Sequence, residues 1–223
     1  MLRQRRKLLF FLPLMSVCSL SGAEIHPLDA VPVYLVPLND FPEELAAVLA
    51  KSLQANMGFR VKASLQLPPL VIATAPGTAQ LVSDDILLQA SKASSRLPEA
   101  STTTYRIFLT IKDINSRSAN LRFQFSAHNK TLNCSVVSLA RLLEFAGERP
   151  VLTERSISRL QKMTKRAIGE MYLGWKRSLD PSDIMYSPLM SLDELDKLGL
   201  DHAETPPEQA PRPALPQSSP NAI

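Results

Sequence analysis

The sequence predicts a mixed α/β domain built on one twisted sheet with both parallel and antiparallel strand pairs. Three observations carry this expectation. Strand-like and helix-like patterns alternate through the first half of the chain, which demands crossover connections and therefore parallel pairing. Three strand-like runs then follow one another over short connections, which favours hairpins. Hydrophobic residues make up 45% of the 223, enough for one core of ordinary size.

Each element has its own signal. "VPVYLVPL" (31–38) is β-branched and apolar, as expected of a buried strand. "NDFPEELAAVLAKSLQANMG" follows, with Pro42 and the acids Glu43 and Glu44 at a helix start and Gly58 as its stop. Leu45, Val48, Leu49, Leu53 and Met57 make one face of that helix. "FRVKASL" (59–65) alternates apolar and polar residues, the pattern of a half-buried strand. "SDDILLQASKAS" places Ser83 as an N-cap before acids in the first turn, predicting a second helix. Residues 104–114, 121–127 and 134–142 read as three further strands. The longest helical pattern runs over 153–175, with Leu160, Thr164, Ala167, Ile168, Met171 and Trp175 along one face. "SLDELDKLGL" opens on a capping box, Ser191 with Glu194, and closes at Gly199.

The two ends read differently. Arg3, Arg5, Arg6 and Lys7 precede an apolar run (8–22) too short to span a bilayer, and "SGA" supplies the small residues a signal peptidase reads. Residues 1–23 are therefore expected to be a cleaved Sec-type signal, which makes the mature protein secreted or periplasmic with no stable membrane insertion. Val17 is bulky for the residue before a lipidated cysteine, which argues against Cys18 as an anchor. Residues 24–202 form the expected domain, and residues 203–223 a Pro-rich tail whose composition favours disorder.

Charge and cysteine content exclude several functions. The formal net charge is +4, but four of the 25 basic side chains and none of the 21 acidic ones lie in residues 1–23. The mature chain is balanced, so nothing points to nucleic-acid binding. With Cys18 in the leader, Cys134 stands alone, which excludes an internal disulfide and a cysteine zinc site and leaves a small buried hydrophobe in a strand. His26, His128 and His202 are scattered, and only His128 is placed to serve as a base. No nucleophile-elbow pattern accompanies it. Asp180 and Asp183 sit in "LDPSDI", which reads as a turn. There is no glycine-rich phosphate loop.

The stretch that carries most information is "KRAIGEMYLGWKRSLDPSDIMYSP" (165–188). It resembles the metzincin metalloproteases, whose H-E-x-x-H-x-x-G-x-x-H motif precedes a turn carrying a methionine. Two histidines one helical turn apart share a face, a glycine ends the helix, a third histidine completes the zinc site, and the glutamate takes a proton from metal-bound water. "VYLVPLNDFPEELAAVLAKSL", "SVVSLARL" and the final "SLDELDKLG" are similar to the archaemetzincin branch. The resemblance covers residues 31–200 and implies a metzincin-like sheet, a long site helix, a Met-turn and a C-terminal helix.

Residue by residue, the carry-over fails at the chemistry. Arg166 stands for the first histidine, Ala167 for the glutamate and Glu170 for the second histidine. Gly174 matches the glycine and Arg177 the third histidine, provided one extra residue is allowed between Glu170 and Gly174. The cysteines that archaemetzincins carry after the third histidine are also missing. Arginine cannot ligate zinc, so the resemblance implies a frame without its metal. Arg166 and Glu170 are spaced to pair across one turn in its place. Met185 resembles the Met-turn methionine, and Tyr186 has the option of facing the cleft or the core.

The expected activity is therefore non-catalytic binding of an extended peptide or protein segment beside an edge strand, with 121–127 as that edge and no cofactor. Two other readings stay open. One is a peptidase using zinc on non-standard ligands or a different residue set; the other is a structural envelope component contacting partners through its tail.

Overall fold

The computed structural model of the protein describes residues 30–117 and 121–203. The expected leader, and the tail beyond residue 203, lie outside the described residues. Among the described residues no helix is long and apolar enough to cross a membrane.

The chain begins with β1 (Val33–Pro37), buried at every position, followed by α1 (Glu43–Met57). Gly58 ends α1 in the left-handed region at φ 74°, where a side chain would be strained. Next come β2 (Val61–Ala63), the short β3 (Leu81–Val82) and α2 (Ser83–Ala93). β4 (Tyr105–Thr110) and β5 (Ile114–Asn115) lead into β6 (Ser126–Asn129) and β7 (Cys134–Ser138). A small hairpin of β8 (Glu144–Ala146) and β9 (Arg149–Val151) precedes α3 (Glu154–Ile168). α3 continues as a single π-helical turn over Gly169–Leu173, and α4 (Leu192–Lys197) closes the fold.

The central sheet has the order β2-β1-β4-β7-β6, in which only the β6–β7 pair is antiparallel. Alternation along the strands feeds two cores. Val33, Leu35, Tyr105, Ile107, Leu109 and Val137 face Leu49 and Leu53 of α1 and Leu160, Met163 and Ala167 of α3. Tyr34, Val36, Phe108, Cys134 and Val136 face Ile86, Leu87 and Ala90 of α2. The mixed, mostly parallel α/β class thus agrees with the expectation.

Several local expectations need correction. The early strand runs are shorter than predicted, because loop residues such as Leu65, 77% exposed, leave the sheet where no neighbour covers them. The expected hairpin forms between β6 and β7, whereas the 104–114 and 121–127 runs meet only in the antiparallel bridge Ile114–Gln124, and β4 pairs in parallel with β7. Ser83 is the first residue of α2 rather than its cap, and its hydroxyl donates to Gln124 Oε1 (3.0 Å). The β8–β9 hairpin was not anticipated, since Pro150 weakens any strand pattern there; Gly147 makes its turn at φ 65°.

The final helices follow their signals. Thr153 caps α3, its hydroxyl accepting from the Ser156 N–H, a bond worth about 1 kcal/mol. Ser191 and Glu194 make both halves of the capping box on α4. Buried cations of α3 then clamp α4 in place: Arg159 forks onto the Asp196 carboxylate (2.7 and 2.6 Å), and Lys162 donates to the carbonyls of Leu195 and Asp196 (3.1 and 2.9 Å).

Candidate functional site

Where α3 passes beneath the open edge of the sheet, a cavity of about 540 Å³ forms. One wall is the segment 121–126 with His128 of β6; the floor holds Met163, Arg166, Glu170 and Arg177; the far wall is Ser187, Pro188, Leu189 and Met190. The fold therefore gathers the three motif positions Arg166, Glu170 and Arg177, with Ser187 and Pro188 from the end of the same stretch, around a single cavity.

The spacing of these three depends on the π-turn. An α-helix advances by an i→i+4 hydrogen-bond ladder, whereas a π-turn closes over i→i+5 and takes in one more residue. Residues 169–173 form such a turn, and Gly174 ends it at φ 71° with its N–H directed to the Gly169 carbonyl. The Trp175 N–H also donates to that carbonyl (2.8 Å). The surplus residue between Glu170 and Gly174 is absorbed here, so Arg177 still comes back to face Glu170 at 3.6 Å. Gly169 leaves room for the Trp175 ring, which a Cβ there would overlap.

Arg166 and Glu170 do not form the ion pair that their spacing allows. Arg166 instead donates through Nη1 to the Ile184 carbonyl (2.8 Å), which draws its guanidinium toward the turn below, and Glu170 takes Arg177. Burial is the largest influence on the Arg166 guanidinium and lowers its pKa, while Glu170 opposes this; arginine stays charged in any case. Ala167 is 1% exposed and points into the core, so it takes no part in the cavity surface.

Below the floor, the chain makes a compact turn around Met185. The Ser178 N–H donates to the Met185 carbonyl and the Ser187 N–H to the Ser178 carbonyl, both at 3.0 Å. Met185 is fully buried in the core beneath α3. Tyr186 is half-buried and packs on the same core, outside the residues that line the cavity. Asp180 holds a local turn by accepting from the backbone N–H (2.8 Å) and the hydroxyl of Ser182 (2.7 Å). Asp183 accepts from the Met185 N–H (2.7 Å) and the Ala203 N–H (3.1 Å), and its carboxylate meets His202 Nδ1 (2.9 Å). The His202 ring in turn stacks on Trp175 at 4.9 Å between centroids. Burial raises the Asp183 carboxyl, but these bonds outweigh it and hold its pKa below the usual carboxylate value.

His128, the one histidine placed to serve as a base, opens onto the cavity beside the α3 floor. It is the cross-strand partner of Ser135, so the two side chains share a face, and Ser126 two residues earlier shares it too. His128 Nδ1 lies 2.6 Å from Ser135 Oγ and Nε2 3.3 Å from Ser126 Oγ. Behind Ser135, the buried Tyr105 hydroxyl sits 2.5 Å from Oγ and 3.2 Å from the Ala167 carbonyl oxygen. This polar thread ties the rim of the cavity to the site helix. Burial pushes the His128 pKa down, with Arg166 and Arg177 acting the same way against Glu170, so the imidazole is neutral at pH 7. The Ser-x-His alternation at 126–128 was the available signal for this cluster, but nothing in sequence linked it to Ser135 or Tyr105.

Cys134 behaves as read: it is fully buried, and burial pushes its thiol up to about 11.

The residues at this site do not fit zinc. Only His128 and Glu170, among those lining the cavity, are of ligating type, and a zinc site takes at least three protein ligands. Among the described residues no group of three or more His, Cys, Asp or Glu side chains is placed to hold a metal ion.

Comparison with known proteins agrees on the fold. No family model and no curated protein matches this chain. Solved structures do. A zinc-dependent peptidase from Methanocorpusculum labreanum is similar at a TM-score of 0.64 and 20% identity, over 77% of this chain and 96% of that one. Archaemetzincin from Methanopyrus kandleri is similar at 0.57 and 18% identity, over 81% of this chain and 93% of that one. Archaemetzincin from Archaeoglobus fulgidus, complexed with malonate, is similar at 0.54 and 23% identity, over 77% and 95%. The chain has the archaemetzincin-like metallopeptidase fold.

Proposed function

We propose that this is an exported, archaemetzincin-like pseudoprotease that binds an extended peptide or protein segment without cleaving it. The observation that carries the reading is the content of the cavity. Arg166, Glu170 and Arg177 stand together on its floor, and Ala167, at the place of the general base, faces the core. Two guanidinium groups and a single carboxylate cannot polarise water as a metal does, whereas they can hold a polar ligand. The left-handed Gly174 and the buried Met185 support the same reading, since the resemblance sets them at the places of the family's glycine and Met-turn.

The binding mode follows from the sheet. β6 is its terminal strand, so among the described residues one side of β6 carries backbone groups with no neighbouring strand. Such an edge accepts an added strand, with main-chain bonds giving affinity and side-chain pockets giving selectivity. The edge lies at 126–129, somewhat beyond the 121–127 predicted, and the residues before it become the cavity wall.

The test pairs metal content with peptidase activity. Protein spanning residues 24–223, purified after growth with zinc, is expected to carry zinc well below one equivalent. It should retain members of a random peptide library and leave them intact. Stoichiometric zinc together with chelator-sensitive cleavage would overturn the proposal in favour of a peptidase with non-standard ligands.

A further inference from the structure

We infer that the cavity recognises the free C-terminal carboxylate of a peptide ending in an apolar residue, held by the guanidinium groups that replace the metal ligands. This rests on the peptide-binding reading above and narrows it to one chemistry.

The first support is charge. Arg122, Arg166 and Arg177 line the cavity against one carboxylate, Glu170, so the lining has a cationic surplus. Glu170 is engaged by Arg177 at 3.6 Å, longer than a direct hydrogen bond, which leaves most of the guanidinium's five donors uncommitted. Arg166 donates one N–H to the Ile184 carbonyl, which anchors its position while its remaining donors stay with the cavity. Planar guanidinium groups match a carboxylate in pairs of parallel bonds, and the partly enclosed floor makes such charge-assisted bonds stronger than at an open surface.

The second support is the apolar half of the same cavity. Phe125, Met163, Pro188, Leu189 and Met190 stand around the charged floor. An internal aspartate or glutamate would use the cations and leave these walls uncovered. A C-terminal residue carries its carboxylate one carbon from its side chain, so a single residue can meet both halves at once. The residues before it would leave the cavity along the open side of β6, where the strand's free backbone groups are available. His128, neutral and fixed through Ser135, stands at the exit as a further polar contact.

Two random hexapeptide libraries, one with free C-termini and one amidated, would be passed over immobilised protein and the retained peptides identified by mass spectrometry. Retention of the free-acid library at least about tenfold above the amidated one, with apolar last residues enriched, is the expected result. Arg177→Ala, at a side chain 64% exposed and so without consequence for folding, should reduce the free-acid signal toward the amide level. Equal retention of both libraries overturns this inference and leaves the peptide cleft standing. Enrichment of internal acidic residues in both libraries overturns it in favour of an acidic segment. Retention of neither library overturns the cleft reading itself, and this inference with it.

Discussion

Residues 169–185 beneath the cavity and residues 121–128 along its rim differ in how closely their side chains are held. Below, Gly169 touches the Trp175 ring, Trp175 stacks on His202, His202 meets Asp183, and Asp183 fixes the Met185 turn. Each group leans on the next, and the backbone takes conformations that few residues tolerate. Along the rim, Leu121 is 51% exposed, and Phe123 and Phe125 pack edge-on against each other, 5.2 Å between centroids; Phe125 only borders the α1–α3 core, and Phe123 joins neither. The lower region keeps a shape, while the upper one presents a surface. A chain can therefore exchange the side chains that do chemistry on the floor while the turns beneath them stay as they are.

Substitutions below should break the structure. Met185→Ala removes a fully buried side chain from under α3, with an expected loss of about 2–5 kcal/mol in denaturant unfolding. Gly169→Ala forces a methyl into the Trp175 ring, and overpacking of this kind costs about 1–3 kcal/mol. The same measurement on Phe123→Ala at the rim should show a smaller change than either; an equal one would erase the distinction between the two regions.

Acid should act on the lower region next. The Asp183 carboxyl has its pKa depressed in the folded chain, so its contribution is fully present above the unfolded carboxylate value of about 3.9. It is lost as pH falls through the lower, folded value, because the unfolded state takes up the proton first. Asp183→Asn should therefore flatten the acid limb of a stability–pH curve measured below about pH 4. An unchanged acid limb would show that the Asp183–His202 contact does not hold the turn.

The smallest effect is expected on the floor. Glu170 and Arg177 are 3.6 Å apart with Arg177 largely solvent-exposed, so a double-mutant cycle on stability should give a coupling of about 0.5 kcal/mol or less. A coupling above about 1 kcal/mol would move the pair from ligand-binding surface to structural support.

What the sequence revealed and what it hid divide along physical lines. Signals that act within one turn were legible: the Ser191–Glu194 box caps its helix as read, because a cap needs only residues three apart. The apolar face of α3 was legible too, with Leu160, Thr164, Ala167 and Ile168 all buried. Pairing across the sheet was not. β4 and β7 lie side by side with β6 beyond them, and no local pattern states which of two strands will be the edge. At the site, Arg166, Glu170 and Arg177 could be named from the resemblance, but their actual partners could not. Arg166 answers to the Ile184 carbonyl, which reaches it only through the turn, and His128 gains its place from Ser135 and Tyr105 on two other strands.

The π-turn carries a consequence for how distance along a chain is measured. Arg177 lies seven positions after Glu170, one more than the motif's spacing, and the π-turn at 169–173 takes in the extra residue while the two side chains still meet at 3.6 Å. A ruler marked in residues misjudges this interval, and a pattern of fixed gaps would pass over the site even if all its ligands were present. The hydrogen-bond ladder, rather than the residue count, sets the scale.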